Sequence, residues 1–145
     1  MQEFLTKVHR IVEPLLNGLG FHVDEFDAEV DDWGRPGAVV YFRSSDCKIQ
    51  IYDSSRDGSI NCMIAPSGAE NIFGPHDQSG KWQYLPRFAL RQGISAEQIQ
   101  ETDLPECPTM DQLLRAVRCR IEKYFPVAHA GVLEMGGPDY WIPRS

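Results

Sequence analysis

Three runs of alternating, β-favouring residues (38–43, 48–53 and 59–65) follow one another with connections of only four or five residues. Connections that short leave no room for a crossover, so consecutive runs must pair antiparallel as hairpins. The register follows from the pattern. With Ser45-Asp46 as the first turn, Phe42 faces Ile49 and Val40 faces Ile51; with Asp57-Gly58 or the four residues 55–58 as the second, Ile51 shares a face with Ile60, Cys62 and Ile64. Both hairpins therefore gather their aliphatic side chains on one side of a sheet. The opposite side carries Val39, Tyr41, Gln50, Tyr52, Asn61 and Met63. Two readings of that mixed, aromatic side stand: a second layer of helix or loop covers it, or it lines a groove where something binds.

Upstream, Phe4, Val8, Ile11, Val12, Leu15 and Leu16 recur at three and four positions, the helical period, and Asn17-Gly18 offers a left-handed close. Pro14 removes an N–H, so this helix should kink or shorten near residue 13. From Phe21 the period becomes two. The apolar parity switches from 21 and 23 to 26, 28 and 30, which predicts a bulge before a turn over 33–37. Downstream, residues 67–80 form a glycine-rich stretch that is long for a loop, with Ile72 and Phe73 as anchors. Trp82-Gln83-Tyr84-Leu85 either extends the sheet or opens a short helix, and Ser95-Ala96-Glu97-Gln98 reads as a capping box. Thr109 with Gln112 caps a helix over 110–125, whose buried stripe is Leu113, Leu114, Val117, Ile121, Tyr124 and Phe125. Arg115, Arg118 and Arg120 fall mostly on its wet side, Pro126 ends or kinks it, and Val127 to Met135 add a turn or two. After Gly136-Gly137-Pro138, the tail residues Tyr140, Trp141 and Ile142 fold back as an anchor. The expected architecture is α+β: an antiparallel β-meander of about four strands, with an N-terminal helix and C-terminal helices packed on it. One globular domain spans 1–145, a length that buries roughly two thirds of its unfolded surface without staples.

Charge is unevenly spread. Asp24, Glu25, Asp27, Glu29, Asp31 and Asp32 crowd nine positions; without them 15 of the 21 acidic residues remain against 14 basic ones, so nearly all of the net −7 sits in one segment. Binding of nucleic acid or an anionic membrane surface needs clustered cations, which this chain lacks outside Arg115, Arg118, Arg120 and Lys123. No apolar run approaches the roughly 18 residues of a membrane span. Cys47, Cys62, Cys107 and Cys119 show no zinc-type spacing, and the first residues do not resemble a signal peptide, so a reducing, cytoplasmic setting is expected.

Motif templates fail in turn. Gly18-Leu19-Gly20 lacks the strand-to-helix context of a dinucleotide fingerprint. Asp27, Glu29 and Asp31 copy the first ligands of a calcium loop, but Asp32 stands where glycine is needed and Ala38 where a bidentate acid belongs. His76, beside Asp77, could act as a base for a thiol such as Cys62, yet Cys62 falls on the apolar side of the sheet. No metal and no cofactor is expected.

Two functions remain. In the first, the chain is a non-enzymatic, acidic protein-binding domain, in the form of a stoichiometric, immunity-protein-like inhibitor of a basic enzyme; Asp24, Glu25, Asp27, Glu29, Asp31, Asp32 and Trp33 would meet the partner. A plainer role for the same acids is to protect a sheet edge from aggregation. In the second, the chain is a small enzyme or ligand-binding domain whose pocket, lined by Tyr41, Tyr52, Asn61, His76 and Asp77, lies between the mixed sheet face and the 67–80 loop. A homodimer through the sheet edge is a third, less specific option.

Overall fold

The computed structural model describes residues 2–56, 58–95 and 104–135. The expected capping box running on from Ser95 and the anchor at Tyr140, Trp141 and Ile142 lie outside the described residues. The fold is α+β. Two short helices, α1 (Gln2–Ile11) and α2 (Glu13–Gly18), precede β1 (His22–Asp32), β2 (Arg35–Arg43), β3 (Cys47–Ser54) and β4 (Ser59–Pro66). A 3₁₀ turn (Gly74–His76), β5 (Gln83–Tyr84), α3 (Leu85–Arg91) and the long α4 (Met110–Glu134) complete it. The sheet is an antiparallel meander in the order β1-β2-β3-β4-β5.

The register follows the alternation. Phe42 lies opposite Ile49, Val40 opposite Ile51 and Ile51 opposite Cys62. These side chains, with Ala38, Cys47, Ile60 and Ile64, form the larger core with α1, α2, α3 and α4. Each fully buried aliphatic side chain there contributes about 2 kcal/mol of transfer free energy. The first two helices divide at Val12, as Pro14 requires, since it cannot donate into the preceding turn.

The α4 helix begins with the expected capping box: Thr109 accepts from the Gln112 amide at 3.1 Å, and Gln112 Oε1 accepts from the Thr109 N–H at 2.8 Å. It does not stop at Pro126 but runs through to Glu134. Proline inside a helix costs about 3 kcal/mol. Here Tyr124, Ala128 and Val132, spaced by four, are buried on both sides of it, and that packing outweighs the lost hydrogen bond. The turn expected over 33–37 is confined to Trp33-Gly34, because Arg35 already pairs with Asp32. Trp82–Leu85 does both things expected of it, with β5 leading directly into α3.

The opposite side of the sheet is covered by residues 67–82. Val39, Tyr41, Tyr52, Met63 and Ala65 pack there against Ala69, Phe73 and Trp82 in a second, smaller core. A loop laid on a sheet must find partners for its backbone, and the mixed composition of this face supplies them. Lys48 Nζ donates to the Ala69 carbonyl at 3.0 Å and Trp82 Nε1 to the Glu70 carbonyl at 2.9 Å. Gln50 donates to the Ile72 carbonyl at 2.9 Å and accepts from the Gly74 N–H at 2.8 Å. Gly74 is needed at that approach: a Cβ there would lie 2.3 Å from Met63 Sδ and 3.2 Å from Gln50 Oε1. Among the described residues no helix is long and apolar enough to cross a membrane.

Candidate functional site

The β1–β2 hairpin turns on two residues, Trp33 and Gly34, both with left-handed backbone (φ 54° and 88°). A two-residue turn of that hand matches the twist of the strands it joins, and glycine suits it. An aromatic residue does not: the left-handed region costs a non-glycine residue on the order of 1 kcal/mol and persists only where its surroundings impose it. Those surroundings are specific. Asp31 Oδ1 accepts from the Gly34 N–H at 2.8 Å. Asp32, 1% exposed, accepts from Ser54 Oγ at 2.7 Å on one carboxylate oxygen, and its other lies 3.2 Å from His76 Nε2. The His76 ring meets Phe73 edge-on at 5.1 Å and Trp33 at 5.3 Å. Trp33 thus leans on an imidazole that a buried carboxylate holds from beneath, yet it remains 71% exposed.

The six acidic residues do not form one uniform surface. Two register shifts in β1, between Val23 and Glu25 and between Asp27 and Val30, change which way the later carboxylates face. Asp32 therefore follows Val30 onto the loop-covered side and leaves the expected docking patch, because its carboxylate is engaged by Ser54 and His76. Asp24 turns toward Asn71 Nδ2 (3.0 Å), Arg43 Nε (3.6 Å) and Lys48 Nζ (3.7 Å). The Asn71 hydrogen bond, followed by the two cations, holds its carboxyl below the usual carboxylate range. Glu25 accepts from the same Asn71 amide at 2.7 Å.

Asp27, Glu29 and Asp31 are different. Asp27 accepts from the Glu29 N–H at 2.9 Å and Asp31 from Gly34, both neutral backbone donors. Among the described residues none of the three forms an ion pair. They stand with Phe26, 58% exposed, on the outermost strand of the sheet. An open pocket of about 310 Å³ lies between the second bulge and the turn, lined by Ala28, Glu29, Val30, Asp31, Gly34, Arg35, Pro36 and Gly37.

The alternative pocket disperses. Tyr41 and Tyr52 are buried under Trp82 and Phe73, with ring centroids 6.1 and 5.3 Å apart, and burial, with Glu25 and Asp27 adding, pushes the Tyr41 phenol well above its ordinary pKa. The Tyr52 hydroxyl pairs with that of Tyr84 at 2.6 Å. Asn61 sits on β4 and accepts from Arg120 of α4 at 3.2 Å. Asp77 closes its own loop by accepting from the Ser79 N–H and hydroxyl at 3.0 and 2.6 Å. Of the five, His76 alone reaches the hairpin tip. Neither candidate nucleophile among the described residues stands as acyl transfer needs: the Ser54 hydroxyl donates to Asp32, and Cys62 lies across the sheet in the larger core. The constellation sets an aromatic side chain edge-on against His76 and open to solvent. Sequence reasoning marked Trp33 and His76 separately but missed Phe73, Ser54 and Asp32 as the supports that join them; the parity of Val30 and Asp32 after the bulge was the available signal. Compared with models of known protein families, with curated proteins and with solved structures, the chain matches none.

Proposed function

We propose that this chain is a non-enzymatic protein-binding domain that receives a cationic protein partner at the β1–β2 hairpin, acting as a stoichiometric inhibitor of a basic enzyme does. One observation carries the reading: Trp33 rests edge-on against His76 yet is open to solvent, on the same hairpin as three carboxylates, Asp27 and Asp31 to either side of the strand, that no cation of the described chain neutralises. Exposed tryptophan is the side chain most often found at the energetic centre of an interface, and its ring face also accepts a Lys or Arg head group. The unpaired acids supply the field that draws such a partner in and orients it. The narrower set Asp27, Glu29, Asp31 and Trp33 replaces the full acidic run as the contact surface. Asp24, Glu25 and Asp32, whose carboxylates are engaged by Asn71, Ser54 and His76, stand outside it.

The test uses the chain as immobilised bait in three forms: parent, Trp33→Ala, and Asp27→Asn/Glu29→Gln/Asp31→Asn together. The parent is expected to retain a basic protein from its native lysate at low ionic strength and release it with salt. With that protein purified, Trp33→Ala weakens the complex by about 30-fold, and the triple variant slows association by about tenfold while flattening its salt dependence. Equal retention by all three forms, an acidic partner, or capture of a second copy of the chain alone would overturn the proposal.

A further inference from the structure

At the far end of β2 from Trp33, the fold brings His129 to the adjacent pair Asp46 and Cys47. The connection between β2 and β3 is fixed by Ser44, whose Oγ accepts from the backbone N–H groups of Asp46 (3.4 Å) and Cys47 (3.2 Å). That turn presents the Asp46 carboxylate and Cys47 thiol together. His129 arrives from α4, 83 positions later, with Nε2 at 3.0 Å from Asp46 Oδ2. Its ring is stacked on Phe125 at 5.1 Å and 14°, and Phe125 in turn meets Phe21 edge-on, so the imidazole is held in one orientation. A carboxylate oxygen, a thiol sulfur and an imidazole nitrogen thus lie within 4.8 Å of one another.

We propose that Asp46, Cys47 and His129 bind a thiophilic divalent cation, zinc by class, with the fourth position left to water. Sulfur and imidazole nitrogen beside one carboxylate favour zinc, or cobalt as its stand-in, over magnesium or calcium. Donors around tetrahedral zinc lie about 3.3 to 3.8 Å apart, given bonds of about 2.0 to 2.3 Å. Closing from the present spread needs only torsional adjustment of Asp46 and His129, both partly exposed. The supports around the ligands suit the role as well, since Ser44 Oγ donates to the second Asp46 oxygen at 3.1 Å. On binding, the Cys47 S–H bond breaks, the proton leaves to solvent and the sulfur binds the cation as thiolate. The cation would then tie the β2–β3 turn to α4 and stabilise the fold by mass action.

The test titrates the chelator-treated chain with Co²⁺ and Zn²⁺. Expected are one equivalent bound, a sulfur-to-cobalt charge-transfer band in the near ultraviolet, and a thermal midpoint raised by Zn²⁺ but not by Mg²⁺ or Ca²⁺. Cys47→Ser removes the band, while Asp46→Asn and His129→Gln, both at partly exposed positions that tolerate change, weaken binding by more than about tenfold. The Cys107→Ser/Cys119→Ser variant, which removes the two exposed thiols, keeps the band. No band in the parent, a band surviving in Cys47→Ser, or a band lost in the Cys107→Ser/Cys119→Ser variant would overturn the site.

Discussion

Lys48 is 2% exposed and carries a charge that the fold must answer. Burial pulls its pKa down, and the Ala69 carbonyl and Asp24 are the partners that limit the cost. Asp24 in turn titrates below the ordinary 3.8, first because Asn71 donates to it. A carboxyl whose folded pKa is depressed adds stability that is complete above its unfolded value and disappears as the pH falls through the lowered folded value. Asp24→Asn is therefore expected to cost about 1 kcal/mol at neutral pH. The gap between parent and variant in urea unfolding should narrow below about pH 4; a gap unchanged down to acid pH would show that the charge of Asp24 plays no part. Asp24 reads in the sequence as one more member of the acidic run, set to meet a partner or to protect the sheet edge. Its role depends on Asn71, 47 positions away, and no local pattern encodes that meeting. Asp32 and His76, 44 positions apart, are the same case at the candidate site, whereas Trp33 declared itself by standing alone at a turn.

The 67–82 segment shows why an element can be visible as a loop and still be misjudged in its role. Its length and glycine content marked it, and the composition of the sheet face beneath left covering layer and binding groove both open. The polar residues decide between them, because Gln50, Lys48 and Trp82 are turned to loop carbonyls and not to a cavity. The register of β2, β3 and β4, by contrast, was legible, since a slip of one residue would have sent every isoleucine of β3 to the wrong side. Gln50→Ala removes the partner of both the Ile72 carbonyl and the Gly74 N–H and leaves a cavity, for an expected loss of about 2 to 4 kcal/mol. Amide exchange localises it: Gly74 should lose protection while the β2–β3 ladder keeps its own. Equal loss across both would mean that Gln50 holds the sheet and not the layer above it.

Across the molecule, the strands stand in the sheet in the order in which they leave the ribosome. From β1 to β4 each finds its partner by closing a short loop, which costs little entropy, and the meander can zip from one hairpin to the next, with β5 joining across residues 67–82. The helices cannot behave that way: the Arg10–Asp111 ion pair between the start of the chain and α4 joins residues 101 positions apart. Hairpin formation should thus precede helix docking in time. Stopped-flow refolding would show it as slower folding in Ile51→Val but faster unfolding, at nearly unchanged folding rate, in Val8→Ala; the reverse pattern would place the long-range helix contacts in the nucleus. The nascent meander would then expose its aliphatic side to solvent until α4 is made, so the interval before the last helix emerges is when this chain is most prone to aggregate.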